Sequence, residues 1–174
     1  MRILVAYATT EGQTRKIAER IAAQVREFGR DARLFDTAGS PIGLNVDSFD
    51  KVIVAGSVHQ RRHQETVAIF VSANLAQLQT KPTMFLSVSV SAAFKEGVPE
   101  ARSYVDEFLA HTSWQPTQTL LTAGALRYDE YDYFKEQIVE HVVLKGHVVG
   151  GLKGDHEFTD WKVLYKAVEG FLRS

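Results

Sequence analysis

Residues 2–29, RILVAYATTEGQTRKIAERIAAQVREFG, decide how the rest of the chain is read. Arg2 to Ala8 is a continuous apolar run containing Ile and Val that ends in a polar, glycine-containing turn, the pattern of a strand buried on both faces. From Gln13 the period changes. Ile17, Ile21, Val25 and Phe28 recur at three or four residues and Gly29 follows as a stop, which predicts an amphipathic helix. A buried strand passing through a hydroxyl-rich turn straight into a helix is the opening of a βαβ unit.

The same alternation continues downstream. Asp31 to Asp36 is a short strand candidate, Gly39 to Asn45 a loop, and Asp50 to Gly56 (DKVIVAG) a second buried-strand pattern. Val67, Phe70, Val71, Leu75 and Leu78 mark a helix closed by Lys81-Pro82. Met84 to Val90 reads as a core strand, and a helix runs around Tyr104, Val105, Phe108 and Leu109. After the turn Trp114-Gln115-Pro116, Thr119 to Ala125 is a fifth strand. Right-handed crossovers between such elements predict an α/β fold with a five-stranded parallel sheet covered on both faces. Leu126 to Phe158 is too long for a simple βα loop. Residues 126–158 are therefore expected to be an insertion near the last strand, ahead of a final helix on Trp161, Leu164, Val168, Phe171 and Leu172 with Thr159 as its N-cap. No repeat or linker divides the chain, so 1–174 is expected to be a single domain.

Composition bounds the function. The 174 residues are 45% hydrophobic, enough for one core without staples. Twenty basic against 21 acidic side chains leave a formal charge of −1, which gives no general attraction for a nucleic-acid backbone. The charge shifts from +3 in residues 1–87 to −4 in residues 88–174, without a charged tail. With no cysteine, thiolate nucleophiles, thiolate zinc sites and ordinary iron–sulfur ligation are excluded. No window is apolar enough for a signal peptide or a spanning helix, so a cytoplasmic location is expected.

In an open parallel sheet, ligands sit at the carboxyl ends of the strands beside the switch point. There the chain places Thr9-Thr10-Glu11-Gly12-Gln13-Thr14. Three hydroxyls, a glycine and a helix N-terminus suit a phosphate monoester; the competing reading is that Thr9 or Thr10 merely caps the helix. Neither G-x-x-x-x-G-K-[ST] nor G-x-G-x-x-G occurs, and the first strand ends without the acidic cluster that would hold Mg²⁺. Ser57 to His63 (SVHQRRH) reads as a loop and gathers four side chains that are or can become cationic, His59, Arg61, Arg62 and His63. The His pair lacks a third partner, so no metal site is expected.

The T-x-E-G-x-T turn resembles the phosphate loop of flavodoxins, which carry FMN on a three-layer sandwich with sheet order 2-1-3-4-5. Ser57-Val58-His59, Ser87-Val88-Ser89-Val90, Trp114-Gln115-Pro116, Gly124-Ala125-Leu126-Arg127-Tyr128 and Thr159-Asp160-Trp161, in this order, are similar to the menaquinone-dependent protoporphyrinogen oxidase branch of that family. The resemblance covers nearly the full length. It implies that Thr9, Thr10, Glu11, Gly12, Gln13 and Thr14 surround the FMN phosphate. It further implies that Ser57, Val58, His59, Gln60 and Arg61 border the flavin ring on one side, and Ser87, Val88, Ser89, Val90 and Ser91 on the other. Arg61, Arg62, Arg127 and Tyr128 are the implied substrate contacts, the arginines as partners for porphyrinogen propionates. Cationic groups near the ring would raise its potential.

The implied activity is oxidation of protoporphyrinogen IX to protoporphyrin IX, with the flavin accepting hydride and a quinone accepting the electrons over three cycles. Three alternatives share the first loop: an electron-transfer flavodoxin, an NAD(P)H-dependent quinone reductase and a nonenzymatic FMN-binding protein. The apolar stripe Phe134, Ile138, Val142 in the insertion leaves open core packing, a homo-oligomer contact and a peripheral contact with the inner face of the cell membrane. Its balanced charge departs from the basic segment of the oxidase branch.

Overall fold

A computed structural model describes residues 1–126 and 155–174. Strand β1 (Arg2–Ala8) is followed by helix α1 (Gln13–Glu27), and β2 (Asp31–Asp36) pairs parallel with β1 from Arg2↔Asp31 to Tyr7↔Asp36. Gly29, at φ 69, ends α1 as the helical period predicts: its N–H donates to Arg26 O, and the N–H of Arg30 donates to Val25 O.

Next come β3 (Lys51–His59), a two-residue strand β4 (Arg62–His63), and α2 (Glu65–Ala73) with a short α3 (Leu75–Leu78). The chain continues with β5 (Thr83–Ser89), α4 (Val98–Thr112) and β6 (Gln118–Ala123). The principal strands lie in the order β2-β1-β3-β5-β6, all parallel, with β4 folded back antiparallel on β3.

Alternation along these strands divides the core into two layers. Ile3, Val5, Ile53, Met84 and Leu86 face α1 and the C-terminal helix through Ile17, Ile21, Leu164, Val168 and Phe171. Leu4, Ala6, Val52, Val54 and Phe85 face the other way, against Val67, Val71, Val105, Phe108 and Trp114. Because β1 has β2 on one side and β3 on the other, the chain reverses its winding there. The loops after β1 and β3 therefore diverge and open a cleft at the carboxyl edge.

Three local expectations are corrected. The helix expected through Leu78 is broken at Asn74, whose backbone (φ −116, ψ 18) leaves the helical region and whose side chain turns back onto Phe70 O. The N-cap of the C-terminal helix α5 (Trp161–Arg173) is Asp160, which accepts from the N–H groups of Lys162 and Val163 at 3.0 Å. Thr159 instead points inward, accepting from Gln13 Nε2 at 2.9 Å and donating to Ala123 O at 2.7 Å. The loop expected at Ser57 to His63 is a continuation of β3 and a hairpin.

Beyond β6, strands β7 (Ala125–Leu126) and β8 (His156–Glu157) pair antiparallel. Glu157 bonds both Lys16 on α1 and the Trp161 indole, and these contacts, Lys16 foremost, hold its carboxyl below the usual range. Arg127, Tyr128 and the apolar stripe around Phe134, Ile138 and Val142 lie outside the described residues. Among the described residues, no helix is long and apolar enough to cross a membrane.

Candidate functional site

The cleft at the switch point is lined by Thr9, Thr10, Glu11, Gln13, Thr14, Ser57, Val58, His59, Val88, Ser89, Val90, Gly124 and Ala125. Its floor is the start of α1. Gly12 occupies the N-cap position at φ 93, and no side chain caps the helix there. Thr9 Oγ1 accepts from the N–H of Gly12 at 2.9 Å, closing the turn one residue before the helix. Neither Thr9 nor Thr10 is the helix cap, so the first helical N–H groups and the positive end of the helix remain for a ligand. Thr14 Oγ1 is buried with no hydrogen-bond partner in the structure. An orphaned buried hydroxyl, uncapped N–H groups and a left-handed glycine fit a phosphate monoester, which brings acceptor oxygens and negative charge together.

Gln13 serves that floor in a different way from the one expected. Its side chain is buried and donates to Thr159, which in turn holds the end of β6 through Ala123 O, so the carboxamide ties α1 to β6 and to the segment leading into α5. Only its backbone remains for the cleft.

The β3–β4 hairpin makes one wall. Its two turn residues, Gln60 and Arg61, both have positive φ, 48 and 66, as a type I′ turn requires but without the usual glycine. Neither lines the cleft. Arg61 reaches Glu100 on α4 at 3.6 Å, and Ser91 Oγ donates to the same carboxylate at 3.1 Å. Ser91 is therefore committed to α4 and lies outside the cleft lining. Beside it, burial first and hydrogen bonding with Glu100 second push the Tyr104 phenol up, so it stays neutral. Arg62 and Arg61 open instead on a second cavity of about 290 Å³ shared with Glu65, Tyr104, Glu107, Phe108 and His111.

His63 departs most from expectation. The ring sits between Phe85 and Phe108, with centroids 5.2 and 4.9 Å away, and Nε2 shares a 2.9 Å hydrogen bond with Ser87 Oγ. Burial pushes its pKa down to about 4, so it is neutral at pH 7. Of four cation-capable groups in SVHQRRH, His63 is withdrawn and Arg61 is paired, which leaves a weaker positive field than the sequence suggests. Ser87 is fully buried and serves His63 behind the cleft wall.

The opposite wall is the end of β5. Ser89 Oγ accepts from the N–H of Ala92 at 3.2 Å and fixes the turn that presents Val88 and Val90. Gly124 and Ala125 complete the cleft and were missing from the sequence-derived set. The signal for Gly124 was present in its type: its N–H donates to Ser89 O at 3.0 Å, and a Cβ there would stand 3.2 Å from Val88 Cγ1. Gln64 was also missed, although its Nε2 bonds both Thr10 Oγ1 and Ser57 Oγ.

A family model described as "Flavodoxin domain" matches residues 4–147. The chain belongs to the flavodoxin family. FMN is the cofactor of that family, and the Gly12–Thr14 floor fits its phosphate on the structural grounds above. Among curated relatives, the Escherichia coli K12 protein named "Protoporphyrinogen IX dehydrogenase [quinone]" is 26% identical over 165 residues, spanning 93% of this flavodoxin-family chain and 90% of its own length. A Leishmania major protein of the same name is 24% identical and covers 98% of this chain and 74% of itself. Of solved structures, a Pseudomonas aeruginosa flavodoxin mutant superposes with TM-score 0.53 at 12% identity, covering 71% of this chain and 84% of that one. An archaeal flavodoxin gives 0.51 at 17% identity, covering 70% and 83%. These structural likenesses bear on the fold, a flavodoxin-like α/β sandwich.

Proposed function

We propose that this flavodoxin-family chain is an FMN-dependent oxidoreductase that oxidises protoporphyrinogen IX to protoporphyrin IX and passes the electrons to a quinone. The observation that carries the reading is similarity to proteins named for that activity across 93% of this chain, joined to a phosphate-suited floor at the switch point. FMN, when bound, supplies the hydride and electron chemistry itself.

The chain's own residues bind and orient. The backbone of Gly12 and Gln13, the N–H groups opening α1, and the hydroxyls of Thr9, Thr10 and Thr14 would hold the phosphate, with Glu11 at the same lip. Ser57, Val58 and His59 on one wall and Val88, Ser89 and Val90 on the other would border the ring. The apolar side chains Val58, Val88 and Val90 would exclude water from its edge. Gln60, Ser87 and Ser91 would act from behind these walls. Arg61, Arg62, Arg127 and Tyr128 are proposed for the substrate, with a propionate competing against Glu100 for Arg61. Residues 1–174 are read as a single domain with the insertion at 126–158. A contact of that insertion with the inner face of the cell membrane, or with a second copy, belongs to the same proposal.

The test is anaerobic turnover of protoporphyrinogen IX by FMN-loaded protein with a menaquinone analogue, followed by porphyrin fluorescence against a flavin-only control. Saturable, quinone-dependent product is expected. A protein whose flavin is reducible but which forms no porphyrin above the control would overturn the substrate assignment, and consumption of NAD(P)H by the same sample would point to a quinone reductase.

A further inference from the structure

Gln64 lies behind the cleft, between the β3–β4 hairpin and α2. Its Nε2 donates to hydroxyls from two different walls, Thr10 Oγ1 at 3.2 Å and Ser57 Oγ. Its Oε1 is buried and has no hydrogen-bond partner. A carboxamide carries two N–H donors at one end and one acceptor oxygen at the other. Here both donors go to hydroxyl oxygens, and a hydroxyl that accepts keeps its own O–H free to donate.

The opposite orientation would set Oε1 against the same two oxygens. That would satisfy the buried acceptor, but it would consume both O–H groups and turn hydroxyl lone pairs toward the cleft. The observed orientation leaves one buried acceptor bare and two O–H donors available, an arrangement that favours a ligand rich in acceptor atoms over the stability of the empty protein.

We propose that Gln64 is a positioning residue that sets the hydrogen-bond polarity of Thr10 and Ser57, presenting both hydroxyls as donors to the acceptor atoms of FMN. This rests on the FMN reading above. Gln64 need not touch the cofactor: it acts through two side chains, one on the phosphate loop and one on the ring-side wall. A carboxylate in its place, having no N–H, accepts hydrogen bonds from both hydroxyls and reverses the polarity.

The test is titration of apoprotein with FMN by flavin fluorescence for the wild type, Gln64→Glu, Gln64→Leu, Thr10→Val and the Thr10→Val/Gln64→Leu double variant, with thermal melting of each apoprotein. Gln64→Glu is expected to weaken FMN at least about tenfold, the loss of one or more donor bonds to an anion. Gln64→Leu should weaken it less. In the double variant, Gln64→Leu should add less than about twofold to the loss from Thr10→Val, because contacting residues that act as a unit are non-additive. The Gln64→Leu apoprotein should melt no lower than the wild type, since the bare acceptor is gone. Two Gln64 variants that bind FMN within twofold of the wild type would overturn the proposal, as would losses from Thr10→Val and Gln64→Leu that simply multiply. A wild-type apoprotein that does not bind FMN overturns the underlying reading as well, whereas tight wild-type binding with unaffected Gln64 variants overturns this inference alone.

Discussion

Acidification should destabilise this protein through His63, and the size of the effect follows from its surroundings. The ring packs against Phe85 and Phe108 with one edge toward the second cavity, and its pKa falls from the ordinary 6.5 to about 4 because burial penalises the imidazolium. A histidine whose folded pKa lies below its unfolded value takes up its proton preferentially in the unfolded chain. Its contribution is thus intact above about pH 6.5 and is lost as pH falls toward 4. Each unit in that window costs about 1.4 kcal/mol, so the whole window amounts to about 3 kcal/mol, and the step from pH 7 to pH 5 to about 2 kcal/mol. Urea unfolding of wild-type and His63→Gln apoprotein at pH 7, 6 and 5 isolates the effect, because all other titrating groups are common to both. The stability difference between the two proteins should shrink by about 2 kcal/mol from pH 7 to pH 5. Parallel pH profiles, or a His63 resonance titrating near 6.5, would refute the reasoning.

Further outcomes follow from single contacts. Gly12→Ala puts a side chain at φ 93 where no atom lies within 4 Å, so the penalty is backbone strain of about 1–2 kcal/mol without a clash; melting should fall and FMN affinity with it, as read by titration. Thr14→Ala removes the orphaned hydroxyl, so it should weaken FMN about tenfold while leaving the apoprotein melting temperature nearly unchanged; unaltered affinity would remove Thr14 from the phosphate site. Asp160→Ala, by denaturant unfolding, should lose about 1 kcal/mol as two N–H groups of α5 go uncapped. Thr159→Val should exceed it, at about 1–3 kcal/mol, because it strands the buried Gln13 carboxamide and Ala123 O. Gly97→Ala drives a Cβ into the Ser91 carbonyl and should destabilise by about 1–3 kcal/mol in the same assay, disturbing the turn that places Val90.

The sheet was readable because its strands are apolar on both faces and its helices on one. Runs such as RILVAYA and the three-to-four spacing in α1 depend only on burial, and β2 lies at Asp31–Asp36 as expected. The hairpin was not readable. Its turn is Gln60-Arg61 instead of Asn-Gly, so the left-handed geometry has no sequence signature, and the polar letters of HQRRH conceal a histidine packed between phenylalanines. Thr159 and Asp160 are both competent caps, and only the inward route to Gln13 and Ala123 distinguishes them. At the cleft, residue types located the loops. They did not tell which hydroxyls face the ligand and which brace the wall: Ser87 and Ser89 share one side of β5, yet one holds His63 and the other a turn.

The β7–β8 ladder sets Ala125 opposite Glu157 and Leu126 opposite His156, so Leu126 and His156 are held side by side. Chain ends held side by side need no stretched connection, and the entropy of closing a segment between them grows only with the logarithm of its length. The number of residues between them can change while α5 still finds its place through Lys16, Glu157 and Trp161. An engineer who joins Leu126 to His156 through a tight turn should therefore recover the sheet and its helices, α5 included, as a folded scaffold that lacks the residues between.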